Sequence, residues 1–270
     1  PLFLRHTRAV ELTAAGMQLL QAVAQALPRI DTAVRQIRQS AGRRQVTVTT
    51  FASFASMWLI PRLEAFQREF ADIDIRVDAS DVAVDLEVTD VDVAVRYARA
   101  ERMPPGALRM FGESVTPMAS PWLLKSGPPL KQPTDVLGHT LIEAADAYTP
   151  HLEWLTWRRW LDTHGMARAQ PKRWLSFNYA YQMTQAALSG QGIVLARPPL
   201  VAESLARGEL VEVFPATRLH SPMAYWLLLA PRRAPRPEVK AFADWLPAPA
   251  VATRGVTGAG EGSDLVNDLG

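Results

Sequence analysis

The chain has 270 residues, 48% of them hydrophobic and none of them cysteine, which suits one or two soluble globular domains and excludes disulfides and thiolate metal sites. The net charge of +2 is too small to name a partner, but residues 1–44 hold seven arginines against two acids, leaving the remainder with three net negative charges. A basic end on a mildly acidic body fits nucleic-acid contact, and it equally fits a solvated helix face.

The opening segment, PLFLRHTRAVELT, is too short to fold alone. Thr13 is placed to cap a helix running to about Ser40, with Met17, Leu20, Ala24, Leu27, Ile30, Val34 and Ile37 recurring every three or four residues. Such a narrow apolar seam is suited to pairing with another helix. Pro28 predicts a kink or a break in that helix, and Gly42, Arg43 and Arg44 read as a linker.

The pattern then becomes alternating. Val46–Thr50 reads as a strand, FASFASMWLIPRLEAFQREF as a helix with Leu59, Leu63, Phe66 and Phe70 inward, and IDIRVDAS and VDVAVRYA as further strands. Strand–helix–strand order predicts a parallel sheet with crossover helices. A proline-rich stretch from residue 104 to 133 follows. EWLTWRRWLDTHG is then predicted to be a helix whose Trp154, Trp157 and Leu161 face a core. A second alternation comes next: a helix from Tyr179 to Ser189, the strand GIVLA, the helix LVAESLARG, and the strands LVEVF and YWLLLA. EVKAFADWL closes the fold at Leu246, and residues 247–270, rich in Pro, Ala and Gly, read as a disordered tail. Two alternating lobes imply a cleft, with ligands at the carboxyl ends of the strands.

Enzyme signatures are missing. The five histidines are scattered, and no metal-binding pair of the HExxH kind occurs. No GxSxG elbow or Walker loop is present, and the glycine run from Gly258 lies in the tail without a strand before it. No catalytic residue, metal site or cofactor is expected. Nor is a membrane span, since no run approaches ~18 apolar residues. No secretory signal opens the chain, so a cytoplasmic location is expected.

Four segments together resemble the LysR-type transcriptional regulators, in the subgroup that includes the glycine-cleavage activator and the β-lactamase regulator. They are LFLRHTRAVELTAAGMQLL, with an LTxxG signature from Leu12 to Gly16; SFASMWLIPRLEAFQREF; VDVAVRYA; and AALSGQGIVLARPPLVAESLARGELVEVF with the following YWLLLA and FADWL. The resemblance covers Leu2 to Leu246. It implies an α/β fold: a two-lobed, periplasmic-binding-protein-like effector domain, preceded by a linker helix and a remnant of a winged helix-turn-helix domain. The expected division is a wing remnant over 1–13, a linker and dimerisation helix over 14–44, a first lobe over 45–118 and 228–246, a second lobe over 119–227, and the tail. The base-reading helix of the family would lie upstream of Pro1.

The functional expectation is a ligand-responsive, DNA-binding regulator, here mainly its effector-sensing and oligomerising part. It would take a small, anionic effector, assemble as a homodimer or homotetramer, and meet promoter DNA in the full-length protein. A solute-binding receptor sharing the two-lobed fold is the alternative. Ser53 and Ser56, at the turn after VTVTT, offer hydroxyls at a helix start that suit an anion; plain helix capping accounts equally well for Ser56 and less well for Ser53. Asn178 and Tyr179 open the helix of the second lobe, opposite Ser53, and Tyr225 starts the strand running back to the hinge. The resemblance implies that these positions line the effector pocket. Arg5, His6 and Arg8 correspond to wing residues that touch phosphates without reading sequence.

Overall fold

The computed structural model describes residues 1–5, 10–40, 44–81, 84–87, 89–145, 153–231 and 235–257. The chain forms two compact units, Pro1–Gln45 and Val46–Gly270.

In the first unit, strands β1 (Phe3–Arg5) and β2 (Val10–Leu12) pair as an antiparallel hairpin, with Phe3 opposite Leu12. Thr13 then caps helix α1 (Ala14–Ser40): its Oγ1 accepts from Gly16 N at 3.0 Å, while its own N–H donates to Leu2 O at 3.0 Å. Gly16 is fixed here by space, because a Cβ would stand 2.1 Å from the Leu2 carbonyl oxygen. The LTxxG signature is therefore a local packing device, with a Thr cap and a glycine that lets the hairpin strand approach the first helical turn.

Helix α1 is not split at Pro28 as the sequence reading allowed; it is helical over all 27 residues. A single proline forfeits one backbone hydrogen bond, and the turns on either side hold the rest. Met17, Leu20, Leu27 and Ile30 are all about half exposed or more, so the apolar seam is presented outward.

The second unit is built on one sheet of order β4-β3-β5-β11-β6-β9-β7-β8. Its strands are β3 (Arg44–Thr50), β4 (Ile73–Ala79), β5 (Val93–Ala98), β6 (Leu108–Ala119), β7 (Thr140–Ala144), β8 (Arg173–Phe177), β9 (Ile193–Ala196) and β11 (Leu219–Leu229); β10 (Val211–Glu212) pairs with β6 off that path. β3 runs parallel to β5, and β7 runs parallel to both β8 and β9. Between these parallel groups lie the two long strands, β6 and β11, antiparallel to each other and to their flanking neighbours. They cross from one half of the sheet to the other and so tie the halves together.

Each half has its own core. Val46, Val48, Phe54, Trp58, Phe66, Phe111 and Phe242 are all fully buried in the first. In the second, successive residues of β9 point to opposite faces: Val194 and Ala196 join Met118, Ile142 and Ala187, whereas Ile193 and Leu195 join Trp157 and Trp160. That two-sided burial explains why GIVLA is continuously apolar.

The helices follow the predicted order with two corrections. The helix predicted for EWLTWRRWLDTHG begins as a 3-10 turn, Glu153–Leu155, and restarts as α5 (Trp157–Thr163), because Thr156 caps it by accepting from Arg159 N at 3.1 Å. The restart rotates the buried face, so Trp157, Trp160 and Leu161 are core, whereas Trp154 is half-buried under the guanidinium of Arg159 at 4.7 Å.

The second correction concerns the tail. Residues Pro247–Thr257 form a helix, α9, directly after α8 (Pro237–Trp245), where a disordered tail was expected; the rest of that expected tail, 258–270, lies outside the described residues. Proline is tolerated at a helix start and alanine favours the interior. The packing decides the matter, since Ala250 is buried in the first core and Thr253 Oγ1 accepts from Trp58 Nε1 at 2.9 Å. Arg254 donates to the carbonyls of Met110 and Arg109 at 2.5 and 3.0 Å.

Candidate functional site

The site forms where β3 and β5 end and the crossing strands pass beneath. β3 stops at Thr50, and the chain turns at Phe51 into a continuous run of α2 (Ala52–Phe54), a π turn (Ala55–Leu59) and α3 (Ile60–Glu69). The π turn ends two residues before Pro61, whose missing N–H relaxes the usual hydrogen-bond ladder. Phe51 and Phe54 sit on Tyr225 at ring separations of 5.9 and 5.5 Å, and Trp58 stacks on Phe54 at 5.0 Å. These contacts pin the start of the run, so Ser53 is 6% exposed. One amide at this helix start is already taken: Ala52 N donates to the Asp81 carboxylate at 3.2 Å. The hydroxyl of Thr50, fully buried at the strand end, has no hydrogen-bond partner.

Beneath this helix start is a polar cluster assembled from four strands or strand ends. Glu113 of β6 faces Ser221 of β11 in register, and Tyr225 of β11 faces Tyr97 of β5. The Tyr225 hydroxyl donates to Glu113 Oε1, and the Tyr97 hydroxyl lies 3.1 Å from Ser221 Oγ. Arg197, directly after β9, brings its Nε to 3.7 Å from Glu113 Oε1 and its guanidinium to 5.5 Å from the Tyr97 ring. The Glu113 side chain is fully buried, whereas that of Arg197 is 16% exposed. Glu113 Oε2 makes no well-formed hydrogen bond, although the Tyr97 hydroxyl also interacts with this carboxylate.

Electrostatics follows from this geometry. Burial, reinforced by the Glu113 charge, pushes the hydroxyls of both Tyr97 and Tyr225 well above the usual phenol range. Desolvation works against the charged form of Arg197, but the charge of Glu113, aided by the two tyrosines, outweighs it and raises the pKa. On the second half of the sheet, burial raises the pKa of Glu143 at the end of β7, partly offset by the backbone amide of Trp157.

Helix α6 (Ala180–Leu188) starts from Tyr179, whose amide donates to Gln182 Oε1 at 3.2 Å, and it lies beside α2. Tyr179 stacks on Tyr181 at 5.5 Å. Ser53 and the start of α6 thus belong to neighbouring elements from opposite halves of the sheet. Asn178 is exposed. Ser56 is also exposed and lines a separate cavity of about 570 Å³, with Met57, Tyr181, Gln185 and Arg207. Tyr225 is not an open lining residue, since it is completely buried and its hydroxyl is engaged by Glu113. His6 and Arg8 lie outside the described residues, as does the side chain of Arg5.

Sequence reasoning missed Tyr97, Glu113 and Arg197. Glu113 had a signal: it is the one acid in the strand LRMFGESVTPMA, of which all but the first two residues are buried. Arg197 carried none beyond following an apolar strand. Among the described residues, no group of three or more His, Asp or Glu side chains is placed to hold a metal, and no helix is long and apolar enough to cross a membrane.

A mixed α/β domain in two halves, tied by a pair of crossing strands, with charged and hydroxyl groups converging at the strand ends, defines a periplasmic-binding-protein-like effector domain. Residues 39–249 match the LysR substrate binding domain. The chain belongs to that family and is a ligand-responsive transcriptional regulator of the LysR type. It is 31% identical over 251 residues to the glycine cleavage system transcriptional activator of Escherichia coli K12, covering 93% of this chain and 80% of the relative. With the transcriptional activator AmpR of Pseudomonas aeruginosa it shares 30% identity over 246 residues, 91% of this chain and 79% of the relative. The solved effector domain of that AmpR superposes with a TM-score of 0.59 at 30% identity, covering 79% of this chain and 98% of the other. Full-length AphB of Vibrio cholerae, at 19% identity and a TM-score of 0.53, shares the fold over 92% of this chain and 83% of its own.

Proposed function

We propose that the chain senses a small effector bearing a carboxylate or other acidic group, held at the strand ends between the two halves. Ser53 supplies a hydroxyl contact, the side chains of Asn178 and Tyr179 at the start of α6 supply further polar contacts, and Tyr225 stands behind them. The observation that carries this reading is Arg197, a mostly buried side chain beside a buried hydroxyl cluster at the ends of parallel strands. Arginine presents a planar fork matched to carboxylates. The wing remnant, with Arg5, His6 and Arg8, adds phosphate contacts to promoter DNA in the full-length protein. The regulator acts in the cytoplasm and has no catalytic role, in keeping with relatives named as transcriptional regulators. It assembles as a homodimer or homotetramer, because the apolar stripe of α1 is unfavourable in water unless covered.

The test is thermal denaturation of the chain with and without the small-molecule fraction of a cell extract. A ligand present at a hundred times its Kd stabilises by about 2.7 kcal/mol. An upward shift in the wild type that disappears in Ser53→Trp is expected. An equal shift in both proteins, or none in either, would refute the site.

A further inference from the structure

The two halves of the sheet domain meet at a second place besides the crossing strands. Met57, in the π turn, packs against the cores of both halves, and two consecutive residues are divided between them, Leu200 in the first core and Val201 in the second. Arg62 of α3 also reaches Glu203 of α7 (Ala202–Ala206) at 3.4 Å. Met57, Leu200, Val201 and Glu203 all border the cavity of about 570 Å³ described above. Unlike the Glu113 cluster, this space is open to solvent: Ser56, Pro61, Gln185, Gln191 and Arg207 line it and are all exposed.

The volume falls within the roughly 300–1,000 Å³ of small-molecule sites, which favour the boundaries between structural units. The lining sets the chemistry. Its charged residues, Glu203 and Arg207, hold each other at 3.2 Å, and Arg62 answers the other Glu203 oxygen. A charged ligand would therefore lose hydration without gaining a free counter-charge. Met57, Phe177 and Leu188 supply an apolar wall. The carboxamides of Gln185 and Gln191 make no hydrogen bond among the described residues. Each offers a donor and an acceptor side by side, which is the complement of an amide. We infer that this cavity is a second small-molecule site, apart from the one at the strand ends, for a neutral molecule with an apolar side and at least one amide group. Because both halves supply its walls, the occupant favours one relative placement of the halves over others.

The experiment is an NMR titration of the full chain, labelled at its methionine methyl groups, with four matched probes. N-acetyl-leucinamide is neutral and amphipathic, N-acetyl-leucine is its anionic relative, leucinamide its cationic relative, and N-acetylglycinamide lacks the apolar side chain. N-acetyl-leucinamide should shift the Met57 signal, assigned by its loss in Met57→Leu, in a saturable way. The other three should bind at least about tenfold more weakly. Gln185→Trp, a change at an exposed position, should fill the cavity and abolish the shift, whereas Ser53→Trp, at the strand ends, should leave it in place. Circular dichroism checks that both variants fold. The inference is overturned if N-acetyl-leucinamide leaves the Met57 signal unmoved, if any of the other probes binds as well, if the shift survives Gln185→Trp, or if Ser53→Trp removes it.

Discussion

Replacing Tyr225 by Phe isolates the hydrogen bond on which the cluster turns. The ring of Tyr225 is fully buried and packs on Phe111 at 4.7 Å, and Phe fills the same space, so no cavity opens. What disappears is the hydroxyl that donates to Glu113 Oε1. The other Glu113 oxygen makes no well-formed hydrogen bond, and Arg197 Nε at 3.7 Å is too far for a good one. The substitution should therefore cost the value of a hydrogen bond to a charged group, about 1.5–3 kcal/mol. In a unit of this size each kcal/mol moves the melting temperature by roughly 2–4 °C, which gives a fall of about 3–12 °C. The assay is thermal denaturation in a double-mutant cycle with Glu113→Gln. With a neutral partner the same hydroxyl is worth only about 0.5–1.5 kcal/mol, so Tyr225→Phe should be milder in that background. An identical cost in both backgrounds would show that Tyr225 does not act through the charge of Glu113.

Two further expectations come from the same side chains and from α9. Tyr97 and Tyr225 have folded pKa values raised above the usual phenol value. The unfolded chain therefore loses those protons first as pH rises past about 10, and stability is full below that pH and declines above it. Melting temperature against alkaline pH should fall less steeply in Tyr97→Phe/Tyr225→Phe than in the wild type; parallel curves would count against the assignment. Thr253→Val removes the acceptor of the buried Trp58 Nε1 and should cost about 1–3 kcal/mol in chemical denaturation, whereas a negligible change would mean that α9 does not seal the first core.

Much of the fold was legible because local rules and tertiary packing agree. Thr13, the apolar strand GIVLA and the helix with Leu59 and Phe66 inward all fall where periodicity and capping place them. Disagreements arise where packing overrides a local preference. Thr156, one hydroxyl within an apparently unbroken helical pattern, restarts the chain, and the packing of α5 exchanges Trp154 for Trp160 in the core. The helix at 247–257 was hidden because composition records only that Pro, Ala and Gly are frequent. What orders it is a pair of buried sites for Ala250 and Thr253, created by residues nearly 200 positions away, Trp58 being 195 residues from Thr253.

The site was less legible than the fold, for a reason its connectivity makes plain. Residues at a helix start, such as Ser53 and Tyr179, announce themselves locally, because capping is a relation between neighbours. A buried charge announces only that it must have a partner. Glu113 lies 112 residues from the tyrosine that donates to it, and it meets Arg197 only because β6 pairs antiparallel with β9, setting Thr116 opposite Ala196. No periodicity encodes that meeting; strand order does. The crossing strands that tie the two halves together therefore also bring the charges into one place.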